Sequence, residues 1–141
     1  MSDIFTREPI KMANIEAMLA ASHLSSDIGA MVYFSGIVRA DEIDGRRVAA
    51  IDFSAHEQLA ETQIHEIIRR ESGDDIHFVF VQHSLGIVPV GAIPLVILVG
   101  SGHRPEGYRT SRAILEAIKA EVPIFGKELF EDGSHTWKVN V

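Results

Sequence analysis

A chain of 141 residues, 46% hydrophobic and 23% charged, is one domain's worth of ordinary globular sequence, long enough to bury roughly two-thirds of its unfolded surface. It has no cysteine, which excludes disulfides, thiolate zinc sites and a cysteine nucleophile of its own, and its net charge of −7 argues against nucleic acid as the main partner. No run approaches the ~18 apolar residues of a membrane span and MSDIFTREPIK has no signal-peptide pattern, so no membrane contact and a cytoplasmic location are expected.

From the N-terminus, residues 11–22 carry Met12, Ile15 and Leu19 at helical spacing, which predicts a short amphipathic helix. Ser25, Ser26, Asp27 and Gly29 mark a loop. Residues 30–38 and 47–55 both have strand composition, and Asp44-Gly45 between them predicts that they pair as a β-hairpin. Arg39 stands where the first of these strands leaves the sheet; a solvated strand-end arginine is the commoner outcome there. Residues 56–71 form a helical stripe of Ala60, Ile64, Ile67 and Ile68, with Gly73 as a stop and His65 on the surface. Residues 75–86 read as a third strand. His77 and His83, six apart, are expected on one face, and without carboxylate or cysteine partners at ligand spacing no metal site is expected. Residues 87–93 read as a Pro/Gly-marked loop.

The most informative stretch runs from 94 to 128. An unbroken apolar run from Leu95 to Gly100 suits a strand buried on both faces. The turn after it presents His103 and Arg104 where a helix starts, and helix N-termini favour anions. On that helix Arg109, Arg112, Glu116 and Lys119 share a polar face, with an Arg112–Glu116 pair expected, while Tyr108, Ile114, Leu115 and Ile118 cover the apolar side. Lys119 lies one turn before a proline-terminated loop carrying Lys127. Two converging ammonium groups depress one lysine's pKa and make it an acid/base or a nucleophile. From the residues alone this is an anionic-ligand site.

Residues 127–130, the turn around Asp132-Gly133 and residues 135–141 predict a closing hairpin, with Trp137 packed on the core. There is no repeat, low-complexity segment or linker, so residues 1–141 are expected to be a single domain. Helices and hairpins are interspersed without regular β-α alternation, which predicts an α+β fold with antiparallel hairpins.

Residues 36–39 (GIVR), the Ser101-Gly102-His103-Arg104 turn, Lys119, Pro123-Ile124-Phe125, Lys127-Glu128, Asp132-Gly133 and Trp137 follow one another in an order that resembles the large, catalytic subunit of molybdopterin synthase, from about Gly29 to Trp137. The resemblance implies an α/β hammerhead-like fold and a role in molybdenum cofactor biosynthesis: sulfur transfer to cyclic pyranopterin monophosphate (precursor Z), forming molybdopterin. The sulfur would arrive as a thiocarboxylate on the C-terminal Gly-Gly tail of a ubiquitin-like small subunit. A central homodimer with a small subunit at each end is implied, and no cofactor.

By the same resemblance Lys119 and Lys127 are catalytic candidates, and Arg39, His103 and Arg104 are anion ligands for the substrate phosphate, pooled across the dimer interface. The family pattern Pro-Ile-Trp-Lys-Lys-Glu reads Pro123-Ile124-Phe125-Gly126-Lys127-Glu128 here. Phe125 replaces a tryptophan and Gly126 replaces a lysine regarded as a second active-site residue. Lys127 substitutes for it only if Gly126 lets the backbone re-aim it, and restoring Lys at 126 is expected to raise turnover. The alternative is a catalytically weakened homologue that binds the small subunit or pterin phosphate without efficient turnover.

Overall fold

The computed structural model describes residues 4–21 and 25–138. Its elements, in chain order, are β1 (Phe5–Thr6), α1 (Met12–Ala21), β2 (Ala30–Ser35), β3 (Glu42–Ile43), β4 (Arg46–Ala55), α2 (Glu57–Glu71), β5 (Ile76–Ser84), β6 (Gly86–Pro89), β7 (Leu95–Ser101), α3 (Arg104–Glu121), β8 (Ile124–Phe130) and β9 (His135–Trp137).

A run with no polar alternation is satisfied only by burial on both faces, and β7 is buried along its whole length. It lies between β5 and β2, antiparallel to both, in a sheet of order β1-β5-β7-β2. Its period-2 alternation feeds two cores. Leu95, Ile97 and Val99 meet Ile64 and Ile67 of α2 and Ile114 and Ile118 of α3. Val96 and Leu98 meet Ile10, Ile15 of α1, Phe78 and Phe80 on the opposite face. Gly107 is what lets α3 settle onto the sheet: a Cβ there would lie 2.8 Å from Ser101 Oγ and 3.0 Å from Val32 Cγ2.

The second sheet has the order β3-β4-β8-β9, with β6 also paired to β4. Val38, Ile51 and Val88 form a small core on it, with Phe53 and Ala92 against them. The α+β expectation holds. Several local expectations do not. β2 pairs with β7 rather than with β4. The Asp44-Gly45 turn instead joins β3 to β4, with both residues at positive φ (52° and 74°) as a two-residue hairpin turn requires. The turn signal was right; the partner strand was set by the demand of the buried β7 for two antiparallel neighbours. Residues 87–89, within the expected loop, join Gly86 in a strand that pairs with β4 and whose proline falls at its end.

Met12 is exposed and accepts a hydrogen bond from Tyr33 Oη at 3.1 Å, so the buried contact of α1 rests on Ile15, backed by Met18 and Leu19. Tyr108 is also exposed, because the buried face of α3 near its start is made of Gly107, Thr110 and Ser111.

Candidate functional site

Alternation along β8 sends Gly126 and Glu128 to one face and Lys127 to the other. Across the ladder on β4, Gly126 faces Phe53 and Glu128 faces Ile51. The last turn of α3 carries Lys119 over this surface, the segment after β2 brings Arg39 and Asp41, and the residue after β9 is Lys138. These groups line a cavity of about 740 Å³, within the usual range for small-molecule sites. Phe34, Pro94, Leu95 and Ile118 give it an apolar inner wall, and Ile37, Phe125 and Trp137 are exposed members of its lining.

The wall is cationic overall. Arg39 Nη2 lies 3.4 Å from Asp41 Oδ2, a solvent-exposed pair. Glu128 is 6% exposed, a carboxylate held in the wall. The Lys119 ammonium is held below the ordinary lysine range, first by partial desolvation and then by the charge of Lys138, with Glu116 pulling the other way. A lysine so placed gives up and recovers a proton more readily than a solvated one.

His83 also lines this cavity and is buried. Burial pushes its imidazole down to about 4, opposed by the hydrogen bond to Ser84 and assisted by the Lys119 charge. Nδ1 lies 2.8 Å from the Ser84 carbonyl oxygen, so in the neutral ring Nδ1–H is assigned as donor and Nε2 keeps its lone pair. The edge of the Phe53 ring packs against it at 5.0 Å between centroids. His77 is exposed. The irregularity between Ile76 and Phe78 in the pairing with β7 breaks the alternation, so the two histidines do not share an environment.

The other sequence candidates sit elsewhere. Lys127 is absent from the cavity lining; its ammonium lies 5.7 Å from the centroid of the Trp137 ring. Trp137, expected in the core, is 60% exposed because the register Lys127↔Trp137 puts it on the face away from Gly126, where it reaches only the rim of the cavity. His103 and Arg104 are exposed at the start of α3, ~24 Å from Lys119 along a helix that rises 1.5 Å per residue. The His103 N–H donates to Asp75 Oδ2 at 2.9 Å, and its Nδ1 lies 3.2 Å from the same oxygen. Burial raises the Asp75 carboxyl, but the two His103 contacts outweigh it and hold the group below its usual range. A carboxylate therefore already occupies part of this helix N-terminus. Arg104 makes no ion pair among the described residues. Arg109 pairs with Glu106 at 3.1 Å, and the expected Arg112–Glu116 pair is not formed.

Reading the sequence missed Lys138, His83 and Glu128 as cavity residues. The register of the last hairpin is the signal that could have found Lys138: if Lys127 and Trp137 face out, the next residue faces in with Gly126. Among the described residues no three His, Asp or Glu side chains are grouped to hold a metal ion, and no helix is long and apolar enough to cross a membrane.

The profile of the MoaE protein family matches residues 5–121. A molybdopterin synthase catalytic subunit of Emericella nidulans is 36% identical over 123 residues, which cover 86% of this chain; the chain spans 63% of that relative's length. The crystal structure of molybdopterin synthase from Staphylococcus aureus superposes with a TM-score of 0.85 at 26% identity over 99% of both chains. A chain in the complex of subunits 1 and 2 of the molybdopterin-converting factor from Helicobacter pylori shares the fold, with a TM-score of 0.78 at 18% identity, over 95% of this chain and 88% of that one. With residues 5–121 matched and the fold shared from end to end, this chain belongs to the MoaE protein family.

Proposed function

We propose that this chain is the single-domain catalytic subunit of a molybdopterin synthase, moving sulfur from the thiocarboxylated Gly-Gly tail of a ubiquitin-like small subunit to cyclic pyranopterin monophosphate in the cytoplasm. The observation that carries this reading is Lys119: an ammonium held below its ordinary range at the wall of a cavity, in a chain of the MoaE family. When the tail's sulfur bonds to a pterin side-chain carbon, the carbon–oxygen bond it replaces breaks and the oxygen group departs, leaving tail and substrate joined as a thioester. Water then adds to the acyl carbon, the carbon–sulfur bond to the tail breaks, and the tail leaves as a carboxylate with the thiolate on the pterin. Lys119 is suited to hold the oxyanion of that addition and to exchange a proton with the departing groups.

The exposed Ile37, Phe125 and Trp137 around the cavity offer an apolar mouth for an inserted tail. Lys127, beside Trp137, is assigned to the tail's approach and not to the reacting carbon. Arg39 within the cavity, with His103 and Arg104 supplied by a second copy of the chain in a homodimer, would take the substrate phosphate. That arrangement accounts for two cationic sets too far apart to meet in one chain.

The second reading, a partner-binding homologue with weak turnover, is favoured by one observation: Gly126 stands where the family pattern has a lysine. One assay separates the two. The purified chain mixed with thiocarboxylated small subunit and cyclic pyranopterin monophosphate is expected to form molybdopterin. Binding of the small subunit with no product would establish the second reading.

A further inference from the structure

Gly126 has no side chain to place in the cavity, yet the space above it is occupied. The Lys138 N–H donates to the Gly126 carbonyl at 2.7 Å, which extends the β8–β9 pairing by one residue beyond Trp137. That bond fixes the side on which Lys138 emerges. A Cβ built on Gly126 would lie 3.6 Å from Lys138 Cβ, 3.0 Å from Ile51 Cγ2 and 3.4 Å from Phe53 Cε1. Lys138 thus stands over Gly126 on the face shared with Ile51, Phe53 and Glu128, and it lines the same cavity as Lys119. Lys127, one residue from Gly126, turns to the opposite face.

We propose that Lys138, carried in from the end of the closing hairpin, is the second ammonium group of the Lys119 cavity and a catalytic residue that pairs with the anionic acyl group of the inserted tail. This deepens the sulfur-transfer reading and rests on it for the identity of the acyl group; the pairing of the two lysines does not depend on it. The lower proton affinity of Lys119 in the presence of Lys138 agrees with the placement. A bare Cβ at Gly126 would make only an ordinary contact with Lys138 Cβ, at 3.6 Å; it is the volume a longer side chain would fill that Gly126 leaves to Lys138. A lysine in the ordinary position on β8 and one at the hairpin end would compete for the same volume.

The test has two arms on the full chain. In the first, the side-chain titration of Lys119 is followed by NMR with labelled lysine in the native protein and in Lys138→Gln, Lys138→Ala and Lys127→Ala. Both Lys138 variants are expected to move the Lys119 titration upward and Lys127→Ala to leave it in place. A titration moved by Lys127→Ala and not by the Lys138 variants would overturn the pairing. In the second, molybdopterin formation is measured with thiocarboxylated small subunit: Lys138→Gln is expected to lose about tenfold in kcat and Lys138→Arg to recover part of it. Full activity in Lys138→Gln would overturn the catalytic role. If the native protein forms no product while the titration arm holds, the sulfur-transfer reading falls and the paired-lysine cavity stands. Lys138 is half-buried at a hairpin end, and Lys138→Gln keeps its apolar stem, so a folded variant is available.

Discussion

The two ends of α3 carry similar side chains in opposite settings. At the C-terminal end, Lys119 lies in the last turn, where the helix dipole favours a cation by about 0.3–1 kcal/mol. It also borders a walled cavity with a neutral histidine, a buried carboxylate and a second lysine. At the N-terminal end, Arg104 sits where the same dipole disfavours a cation, on an exposed turn with no cavity around it. Asp75 accepts the backbone N–H of the neighbouring His103 and lies against its ring, but Arg104 has no such partner among the described residues. One end is a finished pocket within a single chain. The other holds a cation against the local field, which makes sense if its partner comes from outside the chain.

The largest effect expected from breaking this comparison is at Lys119. Lys119→Ala should lower kcat for molybdopterin formation by about 10²–10³-fold, the range for removing a single oxyanion-stabilising donor. The residue is exposed on a helix, so stability by thermal melting should change by no more than about 0.5 kcal/mol. Retained activity would remove the cavity from the chemistry and leave the exposed end as the only candidate.

His83 sharpens the contrast through pH. Its folded pKa, about 4, lies below the ordinary 6.5, so the folded state prefers the neutral ring. The stability that this preference contributes is fully present above pH 6.5 and is lost as pH falls from 6.5 towards 4. For a shift of that size the loss is about 3 kcal/mol. His83→Asn, which keeps a donor for the Ser84 carbonyl, should flatten the urea-derived stability profile between pH 4 and 6.5 relative to the native protein. An equally steep fall in the variant would show that other groups set the acid limit.

How much of this the sequence revealed depends on how local each cause was. β7 was legible because an apolar run without alternation has one physical solution. The last hairpin was legible because its turn chemistry is self-contained: Asp132 Oδ1 accepts the Ser134 N–H at 2.8 Å and Gly133 supplies a φ of 87°. The partner of β2 was not legible, since a pairing that runs from Ala30↔Ser101 to Ser35↔Val96, far apart in the chain, leaves no trace in either strand. Lys119 was picked out by its place one turn before the proline-terminated loop and given a role by the order of motifs, but the ammonium group expected beside it, Lys127, is not the one in the cavity lining. Lys138 was hidden because its direction depends on the register of a neighbouring strand. Trp137 misled through size, as a large aromatic predicts burial, whereas here it covers the Lys127 side of the sheet.

A smaller effect is expected at Gly126, and there the geometry reverses the expectation that a lysine restores turnover. The added Cβ would approach Ile51 Cγ2 at 3.0 Å, and Ile51 is packed with Val38 and Val88 and has little room to yield. Gly126→Lys should cost about 1–2 kcal/mol of stability by denaturant titration, as overpacking of a tight site does, and should displace Lys138. A gain in both stability and kcat would show that the C-terminal end still has an empty place.

The smallest single-site effect is expected at the exposed end, where Arg104→Ala should weaken binding of cyclic pyranopterin monophosphate by about tenfold, or 1.4 kcal/mol, with unchanged melting. Its value lies in a mixing experiment. If the two ends act together across a homodimer, each site combines Lys119 of one copy with Arg104 of the other. Lys119→Ala and Arg104→Ala proteins, each impaired alone, should then form heterodimers in which one of the two sites is intact. Unfolding and refolding an equal mixture should restore about a quarter of the sites, since about half of the dimers are mixed and each has one complete site. Activity above the sum of the separate variants, measured at substrate below the KM of Arg104→Ala, is the expected outcome. Strict additivity would place both ends' functions within one chain, where ~24 Å of helix separates them, and would strip His103 and Arg104 of a role at the Lys119 cavity.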